Sequence, residues 1–195
     1  MDAGFRFPSR TAASSASIGP VLAPGKDCVR VQLSDARFVT IRPILASDLD
    51  AMRAFFATLS RATLRLRFHC SLNEISENIL RAFIINHHSH VAFVAETHEC
   101  DVNQPATIVA EARYVRNADS DSAEFALVVA DNWRRIGLGT RLTRILAQCA
   151  RFAGVLRLCG DILEDNKAMR GLAHSLGARL SRGVDGKTVR LSMEV

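Results

Sequence analysis

The stretch that decides the reading is Val128-Val129-Ala130-Asp131-Asn132-Trp133-Arg134-Arg135-Ile136-Gly137-Leu138-Gly139-Thr140. It reads as the end of a β-strand, a glycine-rich turn and the start of a helix. Such a turn aims several backbone N–H groups from the positive end of a helix dipole, where a phosphate binds well. Gly137 and Gly139 remove side chains that would hold a phosphate away, and Arg134 and Arg135 add positive charge. Two phosphate turns fail on named residues. The dinucleotide fingerprint needs a small third residue, and Leu142 stands there; the nucleotide P-loop needs a lysine that is absent. What survives is the pattern [QR]-x-x-G-x-[GA], met by Arg134, Gly137 and Gly139.

The elements around this turn follow from hydrophobic period and punctuation. Upstream, Ala123–Ala130 and Thr107–Val115 read as strands joined by a polar turn at 116–121, and Val91–Ala95 as a short buried strand. Downstream, a helix carries Leu142, Ile145, Leu146 and Cys149 inward to about Phe152, a strand spans Leu156–Leu163, and a helix runs from Asn166 to Leu176, stopped by Gly177. Two last strands, 178–184 and 188–195, flank the hairpin signal Asp185-Gly186. Before Val91 stand a strand at Arg37–Arg42 stopped by Pro43, a helix capped by Ser47, a helical piece at 61–68, and a helix opened by a Ser71/Glu74 capping box. The order β-α-α-α-β-β-β-α-β-α-β-β predicts an α/β chain, a mixed sheet with helices on its faces.

Residues 1–35 are expected to be a flexible tail, with residues 36–195 as the one domain. The tail is Ser-rich and nearly free of acids, which suits either an unstructured N-terminus or an organelle transit peptide. No run reaches membrane-helix length. Five cysteines without a C-x-x-C exclude a disulfide scaffold and predict reduced thiols in a cytoplasmic protein. They read as small buried residues. The net charge of +5 rests almost wholly on arginine, whose planar fork suits phosphate and carboxylate. Arg61, Arg65 and Arg67 could form a basic patch, but one Trp and one Tyr give too little aromatic interleaving for a nucleic-acid surface. His87-His88-Ser89-His90, with His69 and Cys70, is too crowded for a metal site, so no metal is expected.

The turn, taken with its surroundings, resembles the GNAT superfamily of N-acetyltransferases. Val39-Thr40-Ile41-Arg42-Pro43 with Asp48 is similar to the family's first strand and turn, and Asn166 with Met169 and Leu176-Gly177 to its later helix. Ser60-x-x-Thr63-Leu64-x-x-Arg67-Phe68 and Ala123-Glu124-Phe125-Ala126-Leu127-Val128-Val129 are similar to the catalytic domain of bacterial Pat-type protein lysine acetyltransferases. Their additional large domains have no room in the residues before 37. The resemblance implies the GNAT-like acyl-CoA N-acyltransferase fold, in which the strand at 123–130 bulges and splays from the strand at 156–163. It implies that acetyl-CoA lies in that opening as co-substrate. Its pantetheine arm would pair near Leu127, Val128 and Val129, its pyrophosphate would sit on Arg134, Arg135, Gly137, Leu138, Gly139 and Thr140, and Asn166 would bond its polar groups.

Glu124 is also singled out by its own position. It is the one acid in an otherwise apolar strand, on the face of Val128. An alkylamine with a pKa of about 10.4 must lose a proton before it attacks a thioester, and a buried carboxylate can take it. A charged residue at a solvated strand start is the bland alternative. Glu111, which shares a strand face with Arg113, is the reserve acid. Many family members place a tyrosine seven residues after the asparagine as general acid; Ala173 stands there, with His174 and Ser175 beside it. The expected activity is acetyl transfer to a primary amine, either a protein lysine or a small molecule. The acceptor would be held by the segment from Phe55 to Phe83, the strands near Tyr114 and the final hairpin. A non-catalytic acyl-CoA-binding or regulatory module of the same fold is the alternative. Neither nucleic acid nor membrane is an expected partner, and a homodimer is compatible with the reading.

Overall fold

A computed structural model describes residues 28–72, 74–84, 89–97, 106–118, 120–183 and 186–195. Strands β1 (Val29–Gln32) and β2 (Phe38–Pro43) precede helices α1 (Leu49–Ala57), α2 (Arg61–Phe68) and α3 (Glu77–Phe83). Strands β3 (His90–Thr97), β4 (Thr107–Arg116) and β5 (Ser122–Val129) follow, then α4 (Leu138–Phe152), β6 (Arg157–Leu163), α5 (Lys167–Ser175), β7 (Arg179–Arg182) and β8 (Thr188–Glu194). Among the described residues the strands form one sheet in the order β1-β2-β3-β4-β5-β6-β8-β7. Every neighbouring pair is antiparallel except β5 with β6. The mixed sheet with helices packed on it is the expected α/β architecture, with one more strand at its start.

That strand corrects the expected tail boundary. Residues 1–27 lie outside the described residues, but Val29–Gln32 pairs with β2 from Val29↔Ile41 to Gln32↔Phe38. The alternation Val29-Arg30-Val31-Gln32-Leu33 accounts for it: Val29 and Val31 pack against the core and Leu33 is buried. Two caps also differ from expectation. Asp48, not Ser47, organises the entry to α1, because its buried carboxylate accepts from the Leu45 amide at 2.7 Å and from Arg42 at 2.7 and 2.9 Å. Ser76, not Ser71, caps α3 through the Ile79 amide. The expected hairpin turn falls partly outside the described residues, at 184–185.

Helix α4 buries Leu138, Leu142, Leu146, Cys149 and Ala150 at three- and four-residue steps, and this stripe packs on β3, β4 and β5. Cys149 therefore behaves as a small core residue, whereas Cys28 and Cys70 are exposed. Phe55, Phe56, Phe68 and Phe83 form a ring cluster between α1, α2 and α3, with Phe56 and Phe83 edge to face at 5.0 Å. This cluster fixes α2 over β5. No helix among the described residues is long and apolar enough to cross a membrane.

Candidate functional site

The site begins where the sheet opens. Strands β5 and β6 pair only through Ser122↔Arg157, Ala123↔Leu158 and Glu124↔Cys159. Beyond Glu124 they separate, while β5 stays in register with β4 as far as Ala110↔Val129. The splay is present; the bulge implied for this strand is not, since the β4–β5 register is uninterrupted and the irregularity falls between Ala95 and Glu96 of β3. A Cβ placed on Gly160 would meet the Phe125 carbonyl at 3.0 Å, so Phe125 turns its carbonyl towards β6. By the two-residue period of a strand, Leu127 and Val129 turn their backbone groups the same way, into the opening.

The opening is a cleft of about 530 Å³, bounded by β5, the turn at 133–140, α2 and α5. Leu127, Val128, Val129, Arg134, Arg135, Gly137, Gly139, Thr140 and Asn166 all line it. Leu138 does not: its side chain is buried in the core, and it can offer the cleft only its amide, one of the donors left unbonded in a helix's first turn. Gly137 holds φ +87° at the N-cap of α4, and Arg135 is held at φ +65°, a left-handed conformation that disfavours any side chain. A Cβ on Gly139 would lie 3.4 Å from Leu127 Cδ2 and 3.6 Å from Leu172 Cδ2, so this glycine keeps the neck between β5 and α5 open. Trp133 is buried beneath the turn, with the Arg37 guanidinium 3.9 Å from its ring centroid.

The two turn arginines differ in employment. Arg134 is a brace: its Nε donates to the Val129 carbonyl at 3.1 Å and Nη2 to the Thr63 hydroxyl at 2.5 Å, and Nη1 lies 3.1 Å from Asp131. Asp131 also accepts from the Ser60 amide and the Thr63 hydroxyl. Burial pushes the Asp131 carboxyl up, but these hydrogen bonds and Arg134 more than offset it, holding the group below its ordinary value. Arg135 is exposed at the mouth. Asn166 caps α5 by accepting from the Met169 amide at 3.0 Å, which leaves its NH2 group as the donor for a ligand.

Glu124 stands at the last paired residue before the splay, outside the lining of the cleft itself. Its side chain is 44% exposed and is held by Arg190 of β8, whose Nη2 and Nη1 reach both carboxylate oxygens. The same guanidinium reaches Asp161 of β6 at 2.9 Å. Glu124 accordingly raises the already high pKa of Arg190. Glu111, the reserve acid, is fully buried and is paired with Arg113 at 2.5 Å. Ala173 is buried, His174 is outside the cleft, and Ser175 lines it with its hydroxyl donating to the Leu172 carbonyl at 2.8 Å.

Several site residues went unread in the sequence. Arg190 reaches Glu124 only through the β6–β8 register, a long-range pairing without a local signal. The α5 wall did carry one: Ala168, Gly171, Leu172 and Ser175 line the cleft at helical spacing. The three arginines Arg61, Arg65 and Arg67, which could have made a basic patch, do not share one exposed surface, since Arg65 pairs with Asp165 at 2.8 Å and Arg67 is largely buried and lines the cleft. Tyr114, expected near the acceptor, is buried in the core. His87 and His88 lie outside the described residues; His90 contacts Arg113, and no group of metal-binding side chains occurs among the described residues.

Comparison with known proteins agrees with this geometry. The acetyltransferase (GNAT) domain family matches residues 39–179. Acetyltransferase PA5475 of Pseudomonas aeruginosa is 32% identical over 157 residues, covering 80% of this chain and 83% of that one. Acetyltransferase Pat of Mycolicibacterium smegmatis is 27% identical over 151 residues, 77% of this chain but 44% of that longer protein. The crystal structure of the GNAT domain of S. lividans PAT superposes with a TM-score of 0.78 at 23% identity, covering 86% of this chain and 97% of that one. With the splayed strand pair, the glycine turn and a matched segment spanning most of its length, the chain belongs to the GNAT acetyltransferase family.

Proposed function

We propose that this protein transfers the acetyl group of acetyl-CoA to a primary amine by direct attack in a ternary complex, with Glu124 accepting the amine proton. The observation that carries this reading is the end of β5–β6 pairing at Glu124, which puts a carboxylate at the apex of the opening whose arms form the cleft. The residues present suit the coenzyme. On the open edge of β5 the backbone of Leu127 and the amide of Val129, whose carbonyl Arg134 holds, suit the pantetheine amides, and the first-turn amides of α4 with exposed Arg135 suit the pyrophosphate. Asn166 has its NH2 group free to bond the coenzyme.

The amine nitrogen forms a bond to the thioester carbonyl carbon, and the N–H proton goes to Glu124, directly or through a water. The carbonyl oxygen gains negative charge against backbone N–H groups on the open edge of β5. Collapse breaks the C–S bond, and its electron pair leaves on sulfur. A thiol with a pKa of about 8.5 departs with little help, which suits a site where Ala173 replaces the family's tyrosine. Likeness to Pat supports a protein lysine as the acceptor; a polyamine, amino acid or antibiotic amine fits the same chemistry.

The deciding experiment measures acetyl-CoA binding beside CoA release with a panel of amines and lysine-containing proteins, in wild type and Glu124→Gln. Turnover is expected, with the variant slower by on the order of 10²–10⁴ at unchanged coenzyme affinity. Tight binding without CoA release from any acceptor would overturn the reading and leave a non-catalytic acyl-CoA-binding module.

A further inference from the structure

The cleft wall that α2 supplies carries a guanidinium whose donors are not all filled. Arg67 lines the cleft with Leu127 and Val128. Its side chain is 14% exposed, yet its buried Nε makes no hydrogen bond. The nearest acid is Glu111, directly opposite Val128 in the β4–β5 register. Arg67 Nη2 and Glu111 Oε2 stand 3.9 Å apart, beyond hydrogen-bond reach, and that oxygen is also unbonded.

Glu111 is committed elsewhere. Its other oxygen accepts from Arg113 Nε at 2.5 Å, and Arg113 is completed by the Phe83 carbonyl at 2.9 Å and the ring of His90. Two guanidiniums thus share one carboxylate in a buried place, leaving positive charge in excess. The rings of Phe68 and Phe83, with centroids 5.3 and 5.2 Å from the Arg67 guanidinium, attract it but accept no hydrogen bond in the plane of the fork. Burial lowers the pKa of Arg67, the mark of a charge short of compensation. Buried polar groups with a purely structural role are almost always bonded.

We propose that Arg67 binds a carboxylate that a reactant carries into the cleft. A carboxylate would meet the part of the Arg67 side chain that the cleft exposes, neutralise the excess charge, and match the planar fork of the guanidinium. Two reactants could bring it: an acyl group ending in a carboxylate, such as succinyl, or an amino-acid acceptor. This proposal rests on the reading of the cleft as an acyl-CoA site.

Two kinetic arms distinguish the sources. In the first, kcat/KM is compared for acetyl-, butyryl- and succinyl-CoA with an amine lacking a carboxylate. In the second, acetyl-CoA is held constant and an amino acid is compared with the amine left when its carboxylate is removed. A charge-assisted pair predicts a preference on the order of tenfold for the carboxylate-bearing reactant in one arm. Arg67→Gln should erase that preference, lowering kcat/KM for the carboxylate-bearing reactant about tenfold more than for its partner without the carboxylate.

Normal acetyl-CoA turnover with no carboxylate preference in either arm overturns this inference and leaves the acetyltransferase reading standing. Equal losses for every reactant in Arg67→Gln overturn it too, since Arg67 would then serve the pantetheine or the fold. If that variant does not fold, the wild-type preferences decide alone. If no amine is acetylated, calorimetric affinities of wild type for succinyl- against butyryl-CoA, and for the amino acid against its decarboxylated amine, decide it separately: tighter binding of either carboxylate-bearing reactant upholds Arg67, and equal affinity in both pairs removes it.

Discussion

Arg190 grips both oxygens of Glu124 and, with the same guanidinium, reaches Asp161 at 2.9 Å, so two carboxylates beside the splay are already organised around one cation. If Glu124 is the base, as proposed, an acceptor amine approaching it as an ammonium must compete with that guanidinium. Arg190→Gln should therefore lower the KM of a cationic acceptor several-fold and leave acetyl-CoA affinity unchanged, because Arg190 is outside the coenzyme cleft. Stability should move by less than about 1 kcal/mol, as expected for a partly exposed ion pair. A raised acceptor KM would show instead that Arg190 positions the acceptor.

Gly139→Ala should separate folding from binding. The new methyl meets Leu127 and Leu172 at ordinary contact distances in a helical position, where Ala exceeds Gly by about 0.5–1 kcal/mol. On the proposed reading it also narrows the neck through which the coenzyme lies, and overpacking of about 1–3 kcal/mol is a loss of affinity of about fivefold to a hundredfold. Calorimetry should find a melting temperature equal or higher and a weaker Kd for CoA.

Arg135→Gly tests a strained residue that also carries charge. Releasing a side chain from φ +65° gains about 1–2 kcal/mol, and the freer unfolded chain takes back about 0.5–1. Denaturant unfolding should show a gain of between about 0 and 1.5 kcal/mol. CoA binding should weaken several-fold at low salt, and the difference should shrink as salt screens the exposed charge.

Cys149 gives the protein an alkaline dependence. Burial raises its thiol to about 11, above that of an unfolded cysteine. A group whose folded pKa is raised contributes its stability below the unfolded value of about 8.5 and loses it as pH climbs to the folded one. Wild type should therefore lose stability between about pH 8.5 and 11 that Cys149→Ala does not lose, by up to about 3 kcal/mol. Parallel unfolding curves for the two proteins across that range would refute the assignment.

How much of this was legible in the sequence depended on how local each cause is. The turn from Arg134 to Thr140 could be read because its glycines, arginines and helix start lie within one short stretch. The strands around it could be read because their burial alternates or is continuous. Ser71 with Glu74 showed the limit: an N-cap pattern was there, but Ser76 also offers a hydroxyl three residues before an amide, and packing of Leu80 and Phe83 selected the later start. The pairing of Glu124 with Arg190 and the burial of Arg67 depend on residues 66 and 44 positions from their partners along the chain. No window of sequence holds both members of either pair. Two further features are local: the helical spacing of Ala168, Gly171, Leu172 and Ser175 on the α5 wall, and β1, whose alternation from Val29 to Leu33 lies at the end of a segment dominated by small polar residues.

The short ladder between β5 and β6 leaves the sheet with two raw seams in its middle, where most sheets have them only at the rims. Three residue pairs join the half ending in β5 to the half beginning with β6. A ligand lying along Leu127 and Val129, as proposed, would do for this sheet part of what a ninth strand would do: it would seal a backbone edge in the middle of the sheet. Occupancy and cohesion would then be linked, and the enzyme at rest between substrates would also be the molecule at its least sealed.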